Sequence, residues 1–437
     1  MTTVDERAQI LAAQSNDSSF DSLFDELTWR GLISTSTNPE LLKGALSGSI
    51  TYYCGFDPTA ASLHLGHLVQ LLFMRRLQLA GHKPLALVGG STGLIGDPRP
   101  TSERTLNSKE TVAEWVSALQ AQVSKYLSFE GENAARLVNN LDWTESLSAL
   151  DFLRDIGKHF RVGTMIKKEA VAARLASDEG ISYTEFSYQI LQAYDFLQLF
   201  REHGCTLQSG GQDQWGNLTA GTDLIRRVTG ESVHAVGTPI IANSDGTKFG
   251  KSEGNAIWLD PKLCTPFAFY QFWLNQADAD VAERLKVFTF LTRDEIAEYE
   301  RQVASEPHLR AAQKRLAFEV TALVHGPAAA QAAEAAAKAL FGGGSYKSVP
   351  EEVLRQATAE LPSAEVSVDT TVAEALVKTG LVRSLSEARR TIAQGGASVD
   401  GERVSAEDTT LAEFAFDRTL LVLGRGKKQK AALTITQ

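Results

Sequence analysis

Apolar positions in the first half of the chain alternate between short continuous runs and runs at helical spacing, the pattern of βαβ units on a parallel sheet. Ile50–Tyr53 is strand-like and enters a turn cluster, Cys54-Gly-Phe-Asp-Pro-Thr59. From His64 to Ala80 the positions Leu68, Leu71, Leu72 and Leu79 follow a helical period. Pro84–Val88 reads as a second buried strand broken by Gly89-Gly90. Thr206–Ser209 reads as a third, followed by Gly210-Gly211 and a helix from about Asp213. Val233–Val236 and Pro239–Ala242 read as further short strands, and a mostly helical stretch from about 110 to 201 looks like an insertion.

From Pro261 to Leu340 the pattern is helical throughout, ending in an Ala-rich run over 328–339. Residues 341–350, Phe-Gly-Gly-Gly-Ser-Tyr-Lys-Ser-Val-Pro, have the composition of a flexible hinge. Beyond it, 368–423 reads as a small α+β unit with helices over 372–378 and 386–393 and short strands split by Asp400-Gly401. The expected partition is therefore 1–260, 261–348 and 349–437.

A chain of 437 residues is too long for one compact core. With 43% hydrophobic and 22% charged residues it has the composition of a globular protein, and no window approaches the ~20 apolar residues of a membrane helix. The polar, acidic start argues against a signal peptide. Three scattered cysteines, Cys54, Cys205 and Cys264, offer neither a disulfide framework nor a metal knuckle, and suit a reducing cytoplasm. Net charge is −10, which argues against nucleic acid coating the whole surface. Residues 366–437 nevertheless hold ten basic and nine acidic side chains, and from Arg418 onward there are five basic and none acidic. A polyanion site belongs at that end.

The candidate chemistry lies before residue 260. His64-Leu-Gly-His67 opens the helix after the first strand, where free N–H groups and the helix dipole favour anions, and Gly66 lets a ligand lie against the backbone. An isolated histidine pair on a helix is more often structural; its place after a first parallel strand reverses that expectation. Gly246-Thr-Lys248-Phe-Gly-Lys251-Ser252 sets two lysines three apart in a Gly-flanked loop, a cationic clamp for phosphates or, taken alone, a solvated basic loop. Tyr188, Gln192 and Asp195 fall at i, i+4 and i+7, a polar stripe on a helix otherwise filled by Ile190, Leu191, Phe196 and Leu197. Facing inward, such a stripe needs a polar ligand, because buried unpaired donors are costly.

HxGH and KFGKS together resemble the class I aminoacyl-tRNA synthetases. The strings Tyr52-Tyr-Cys-Gly-Phe-Asp-Pro-Thr59, Gly93-Leu-Ile-Gly-Asp97-Pro98, Ser187-Tyr-Gln-Ile-Leu-Gln-Ala-Tyr-Asp195 and Gly210-Gly-Gln-Asp-Gln-Trp-Gly-Asn217 narrow the resemblance to the bacterial tyrosyl-tRNA synthetases, over roughly residues 20–437. The resemblance implies that Tyr53 and Asp195 meet a substrate phenol, that Asp97, Tyr188 and Gln192 hold its ammonium, and that Gln214 lies near its carboxylate. It implies that Cys54, Gly55 and Asp57 receive adenosine, that Gly211 and Asp213 contact ribose with His67 beside them, and that Thr59, His64, Arg104, Lys248, Lys251 and Ser252 surround the phosphates. One departure stands out: the loop after Pro98 reads Arg99-Pro-Thr-Ser-Glu-Arg104, short and without the family's lysine.

The C-terminal unit resembles an S4-type RNA-binding domain, through Ser386-Glu-Ala-Arg-Arg-Thr-Ile-Ala-Gln-Gly395 and Val399-Asp-Gly401. Arg383, Arg389, Arg390, Arg425, Lys427, Lys428 and Lys430 would form its basic face for phosphate contact.

The expected fold is thus α/β: a Rossmann-type parallel-sheet catalytic domain, a helical anticodon-proximal domain and a small, mobile α+β S4-like domain. The resemblance implies tyrosine–tRNA ligase chemistry, with ATP and Mg²⁺, no prosthetic group and no protein metal site. Its partners would be L-tyrosine and tRNA(Tyr), in a homodimer away from membranes. A tryptophanyl enzyme is disfavoured by the Tyr53/Asp195 pair, and a small-acid adenylate-forming synthetase by the RNA-binding extension. A catalytically lost RNA-binding regulator is disfavoured by the intact histidine and lysine sets.

Overall fold

The structure, a computed structural model, describes residues 4–99, 101–247, 249–252, 255–415, 418–426 and 428–436; of Lys251, Ser252 and Asn255 it describes the backbone. Contacts divide the chain into two compact units. Among the described residues, the first holds Val4–Asp260 together with Ala277–Ala312; the second holds Pro261–Gln276 and the residues from Gln313 to Thr436.

The first unit is built on a six-stranded sheet of β1 (Thr35–Ser36), β2 (Thr51–Phe56), β3 (Lys83–Val88), β4 (Arg136–Asn139), β5 (Cys205–Gly211) and β6 (His234–Thr238), in the order β1-β6-β5-β2-β3-β4. All neighbours are parallel except β1 against β6. The expected central strands are present. β4 is not among the expected ones: it lies inside the stretch read as helical, because an edge strand of four residues with two apolar side chains carries no alternation to detect. Nor is 239–242 a strand. The ladder ends at Thr238, and Pro239 has no N–H with which to extend it.

Alternation on β2 sends its two tyrosines to opposite faces. Tyr52 lies under the Leu65–Leu79 helix and donates to the Met74 carbonyl, whereas the Tyr53 ring meets Phe196 at 5.3 Å on the Tyr183–His203 helix. The latter helix starts on an N-cap, Ser182, which accepts the Glu185 N–H, and stops at Gly204 in the left-handed region.

Ala277–Ala312 joins the first unit rather than the helical segment expected over 261–348, for a local reason. Arg30 donates to the carbonyls of Lys286, Thr289 and Leu291, Arg76 donates to that of Thr289, and Asp17 accepts the Arg293 N–H. Both arginines are buried and share one carboxylate, Glu26 Oε1, at 2.8 and 3.0 Å.

The second unit combines helices, among them Pro266–Leu274 and Pro327–Phe341, with a five-stranded sheet. After the short β7 (Lys251–Ser252) and β8 (Asn255–Ala256) of the first unit, its strands are β9 (Ser363–Ser367), β10 (Ala397–Val399), β11 (Glu402–Arg403), β12 (Leu420–Arg425) and β13 (Gln429–Thr436), ordered β11-β10-β12-β13-β9. Helices Val372–Lys378 and Leu385–Ala393 share a core with it that includes Val366, Leu376, Ile392, Val399 and Leu423. The β10–β11 turn has positive φ at both Asp400 (48°) and Gly401 (80°), as a two-residue hairpin of this hand requires. The Gly-rich segment read as a hinge is anchored at its far end. Tyr346 and Val349 are buried, and Arg418 donates to the carbonyls of Lys347 and Val349 at 3.1 and 2.8 Å.

Candidate active site

A cavity of about 560 Å³ opens at the C-terminal ends of β2 and β5, where a parallel sheet directs its ligands. Tyr53, Cys54, Gly55, Asp57, Thr59, His64, His67, Asp97, Arg104, Tyr188, Gln192, Asp195, Gly211, Asp213 and Gln214 all line it. Phe249 and Gly250 of the KFGKS loop line it as well. Lys248 lies outside the described residues, and of Lys251 and Ser252 the backbone alone is described, paired with β8.

Of the four carboxylates that line the cavity, those of Asp195, Asp57 and Asp97 have different surroundings. Asp195 is buried and accepts from Trp143 Nε1 at 2.8 Å and Asn140 Nδ2 at 3.0 Å; burial nevertheless pushes its pKa up to about 7. Asp57 accepts the hydroxyls of Thr92 and Tyr188, both at 2.7 Å, and burial raises its pKa too. A side chain on Gly89 would fill the space this carboxylate needs, since an ideal Cβ there falls 2.2 Å from Asp57 Oδ1. Asp97 accepts from Lys168 Nζ at 3.0 Å and Asn217 Nδ2 at 3.2 Å on Oδ1, and from Gln214 Nε2 at 3.1 Å on Oδ2. In this structure the Tyr188 hydroxyl is therefore engaged by Asp57, on the nucleotide side of the expected division, rather than by Asp97.

Two cavity groups have no protein partner among the described residues. They are the Tyr53 hydroxyl and the Gln192 carbonyl Oε1, both shielded from bulk water. Leaving such atoms unpaired is costly, so they mark where a polar ligand completes the site. Burial, reinforced by the charge of Asp195, holds the Tyr53 phenol well above its ordinary pKa, and it remains a neutral donor.

The two histidines share one geometry. His64 caps its helix, its Nδ1 accepting the Gly66 N–H at 3.0 Å, while His67 Nδ1 accepts the His64 N–H at 3.2 Å. Each Nδ1 is thus an acceptor, so each neutral ring carries its proton on Nε2. Burial depresses both pKa values, that of His67 to about 3, and the stacked rings, 4.0 Å between centroids, stay uncharged near neutrality.

Arg104 is fixed through the loop that carries it. Its Nε donates to the Asp97 carbonyl and its backbone N–H to Glu185 Oε1, both at 2.9 Å. Glu185 in turn is held by Arg174 in a buried ion pair at 2.9 Å. On the other wall, Phe249 stacks at 5.6 Å on Phe288 with Arg284 over its ring, and Asp280 accepts the Ser244 N–H.

Sequence reasoning missed Asn140, Trp143, Lys168, Asn217 and Glu185. The first two follow β4, itself unrecognised. Asn217 ends the quoted string that begins at Gly210, where its asparagine was the available signal. In the second unit Arg383, Arg389, Arg390 and Lys428 are exposed, as a phosphate-contacting face requires. Arg425 is instead engaged, donating to Glu387 at 2.8 Å and to the Leu381 carbonyl. Lys427 lies outside the described residues.

Residues 46–342 match the family described as tRNA synthetases class I (W and Y), and residues 353–432 match the Tyrosine–tRNA ligase SYY-like C-terminal domain. The chain is 64% identical over 431 residues to a Tyrosine–tRNA ligase of Leifsonia xyli, covering 98% of each chain. It is 58% identical to that of Streptomyces coelicolor, covering 95% of this chain and 99% of that one. Among solved structures, a C-terminally truncated mitochondrial tyrosyl-tRNA synthetase of Coccidioides posadasii aligns with a TM-score of 0.62 at 28% identity, over 75% of this chain and 94% of that one. With both halves of the chain matched and near-complete coverage of its relatives, the chain belongs to the tyrosine–tRNA ligases of class I, enzymes that form tyrosyl-tRNA using ATP.

Proposed function

We propose that the cavity holds tyrosine with its phenol between Tyr53 and Asp195 and its ammonium at Asp97, Gln192 and Tyr188. The observation that carries this reading is the pair of unpartnered buried atoms, Tyr53 Oη and Gln192 Oε1, in one cavity with the doubly anchored Asp195 carboxylate. A phenol is a donor that Asp195 accepts and an acceptor that Tyr53 satisfies. Phenylalanine leaves the Tyr53 hydroxyl unpaired and offers Asp195 no further donor.

Gln214 stands near the substrate carboxylate, which attacks the α-phosphorus of ATP and expels pyrophosphate. The attacker is already an anion, so no general base is required, and catalysis is positioning and charge stabilisation. Cys54, Gly55 and Asp57 receive the adenosine, with Gly211, Asp213 and His67 at the ribose. The neutral Nε2–H groups of His64 and His67 are donors for phosphate or ribose oxygens. Thr59, Arg104, Lys248, Lys251 and Ser252 surround the departing phosphates. Bound with the triphosphate, Mg²⁺ would supply charge neutralisation beside these residues. The tyrosyl group then passes to a terminal ribose hydroxyl of tRNA(Tyr), whose backbone Arg383, Arg389, Arg390 and Lys428 contact.

A homodimer is supported by exposed apolar side chains close in sequence, Leu150, Leu153, Val162 and Ile166. A content of three scattered cysteines suits the cytoplasm, and among the described residues no helix is long and apolar enough to cross a membrane. Tyrosine-dependent exchange of pyrophosphate into ATP tests the activation reading. Exchange supported by another amino acid in place of tyrosine would overturn it.

A further inference from the structure

Asp97 sits in a wall between two cavities. It and Gln214 line both the site described above and a neighbouring cavity of about 730 Å³, whereas Lys168 lines the second alone. Lys168 comes from the turn before the Glu169–Leu175 helix, and a Cβ added at Gly216 would meet its stem at 3.6 Å. The ammonium is largely withdrawn from solvent and reaches Asp97 Oδ1 at 3.0 Å and Asn217 Oδ1 at 2.8 Å.

These contacts set the polarity of every group around Asp97. A lysine ammonium only donates, so Asn217 must turn its carbonyl oxygen to Lys168 and its amide nitrogen the other way. Asn217 Nδ2 then donates to Asp97 Oδ1 and to Gln214 Oε1, at 3.2 and 2.9 Å. With its oxygen occupied, Gln214 presents Nε2 to Asp97 Oδ2 at 3.1 Å. Oδ1 thus has two donors and Oδ2 one. A carboxylate has about four acceptor sites, so room for a further donor remains on Oδ2.

We propose that Lys168 is a positioning residue for amino-acid recognition, holding Asp97 and orienting the Asn217–Gln214 pair from behind the wall so that Oδ2 is offered to the substrate ammonium. This rests on the reading of Asp97 as the ammonium's partner. Because Lys168 approaches from the second cavity, it does not compete with the substrate for space. Without it, Asn217 and Gln214 are free to flip, and the carboxylate loses its only fixed cation among the contacts above.

The test compares tyrosine with 3-(4-hydroxyphenyl)propionate, which keeps the phenol and carboxylate but has no ammonium. Binding of each to the full-length enzyme is measured by calorimetry for the wild type, Lys168→Met, Asp97→Asn and the double variant. Lys168→Met is expected to weaken tyrosine about ten- to hundredfold, as loss of a charged hydrogen bond does, and the desamino analogue by less than about twofold. The double variant is expected to lose little more than either single one, because both act on one ammonium contact. Equal weakening of the two ligands by Lys168→Met would show a general packing role and overturn the proposal. So would a shift in selectivity from Asp97→Asn but not from Lys168→Met, which leaves the Asp97 reading standing. If Asp97→Asn leaves the selectivity unchanged, the Asp97 reading itself fails, and the positioning role falls with it.

Discussion

The indole Nε1 of Trp143 donates to Asp195 Oδ1 at 2.8 Å, and with Asn140 on the other oxygen it holds a buried carboxylate in one orientation. Both residues follow the edge strand β4, whereas Asp195 belongs to a long helix. The Asp195 carboxylate is therefore braced by a separate element of the fold, and its acceptor direction is set by the protein alone.

Asp195→Ala should erode discrimination against phenylalanine. Tyrosine loses a charge-assisted hydrogen bond of roughly 1.5–3 kcal/mol, whereas phenylalanine never made one. The ratio of kcat/KM for the two amino acids should fall about ten- to hundredfold. A folding defect lowers both values together, so an unchanged ratio in a folded variant would remove Asp195 from the specificity site.

The raised pKa of Asp195, about 7, has two consequences of known sign. A phenol donor favours the ionised carboxylate, so tyrosine should bind more tightly as pH rises through about 7 and should release protons on binding there. Titration calorimetry in buffers of different ionisation enthalpy measures that release, which Asp195→Asn should abolish. For the empty protein the sign is opposite. A carboxyl whose pKa is raised on folding contributes stability at low pH that is lost as pH rises from its ordinary range through about 7. Asp195→Asn should flatten that part of the stability profile.

Lys251→Ala should slow adenylate formation by on the order of 10²-fold while leaving tyrosine affinity nearly intact, because the lysine acts on charge developing at the transferring phosphates. Pre-steady-state burst kinetics separate the two. Equal loss of tyrosine binding and rate would make the loop structural.

Glu26→Gln should destabilise the catalytic unit by about 3–5 kcal/mol, since two buried arginines lose their shared countercharge. Urea unfolding followed by tryptophan fluorescence reads this directly. A change under about 1 kcal/mol would mean that the neutral amide serves both guanidinium groups as well, as exposed pairs would allow.

Removing residues 361–437 should leave tyrosine activation nearly unchanged and strongly reduce tRNA charging. The cut falls after the Glu351–Ala357 helix, whose Leu354 is buried, and before a sheet with its own core. The tRNA affinity lost should be the salt-sensitive part, as phosphate contacts are. Full charging at low salt by the truncated enzyme would refute the RNA-binding role.

What the sequence determined by itself was whatever depends on near neighbours in the chain. The period of Leu68, Leu71 and Leu72, the Asp400-Gly401 turn and the i, i+4, i+7 stripe on one helix all follow from local backbone geometry, and the structure has each. Of the quoted strings that supply cavity residues, 52–59 and 210–217 leave a strand end, while 187–195 lies within the Tyr183–His203 helix. Tertiary structure decided what depends on elements distant in sequence. Lys168 meets Asp97 across 71 positions, Asn140 meets Asp195 across 55, and Arg30 reaches Leu291 across 261. A lysine before a short helix and an asparagine after an edge strand have no local periodicity that marks them. Their roles arise only when the sheet brings charges within hydrogen-bond distance, where burial makes leaving a polar atom unpaired more costly than ordering its partner.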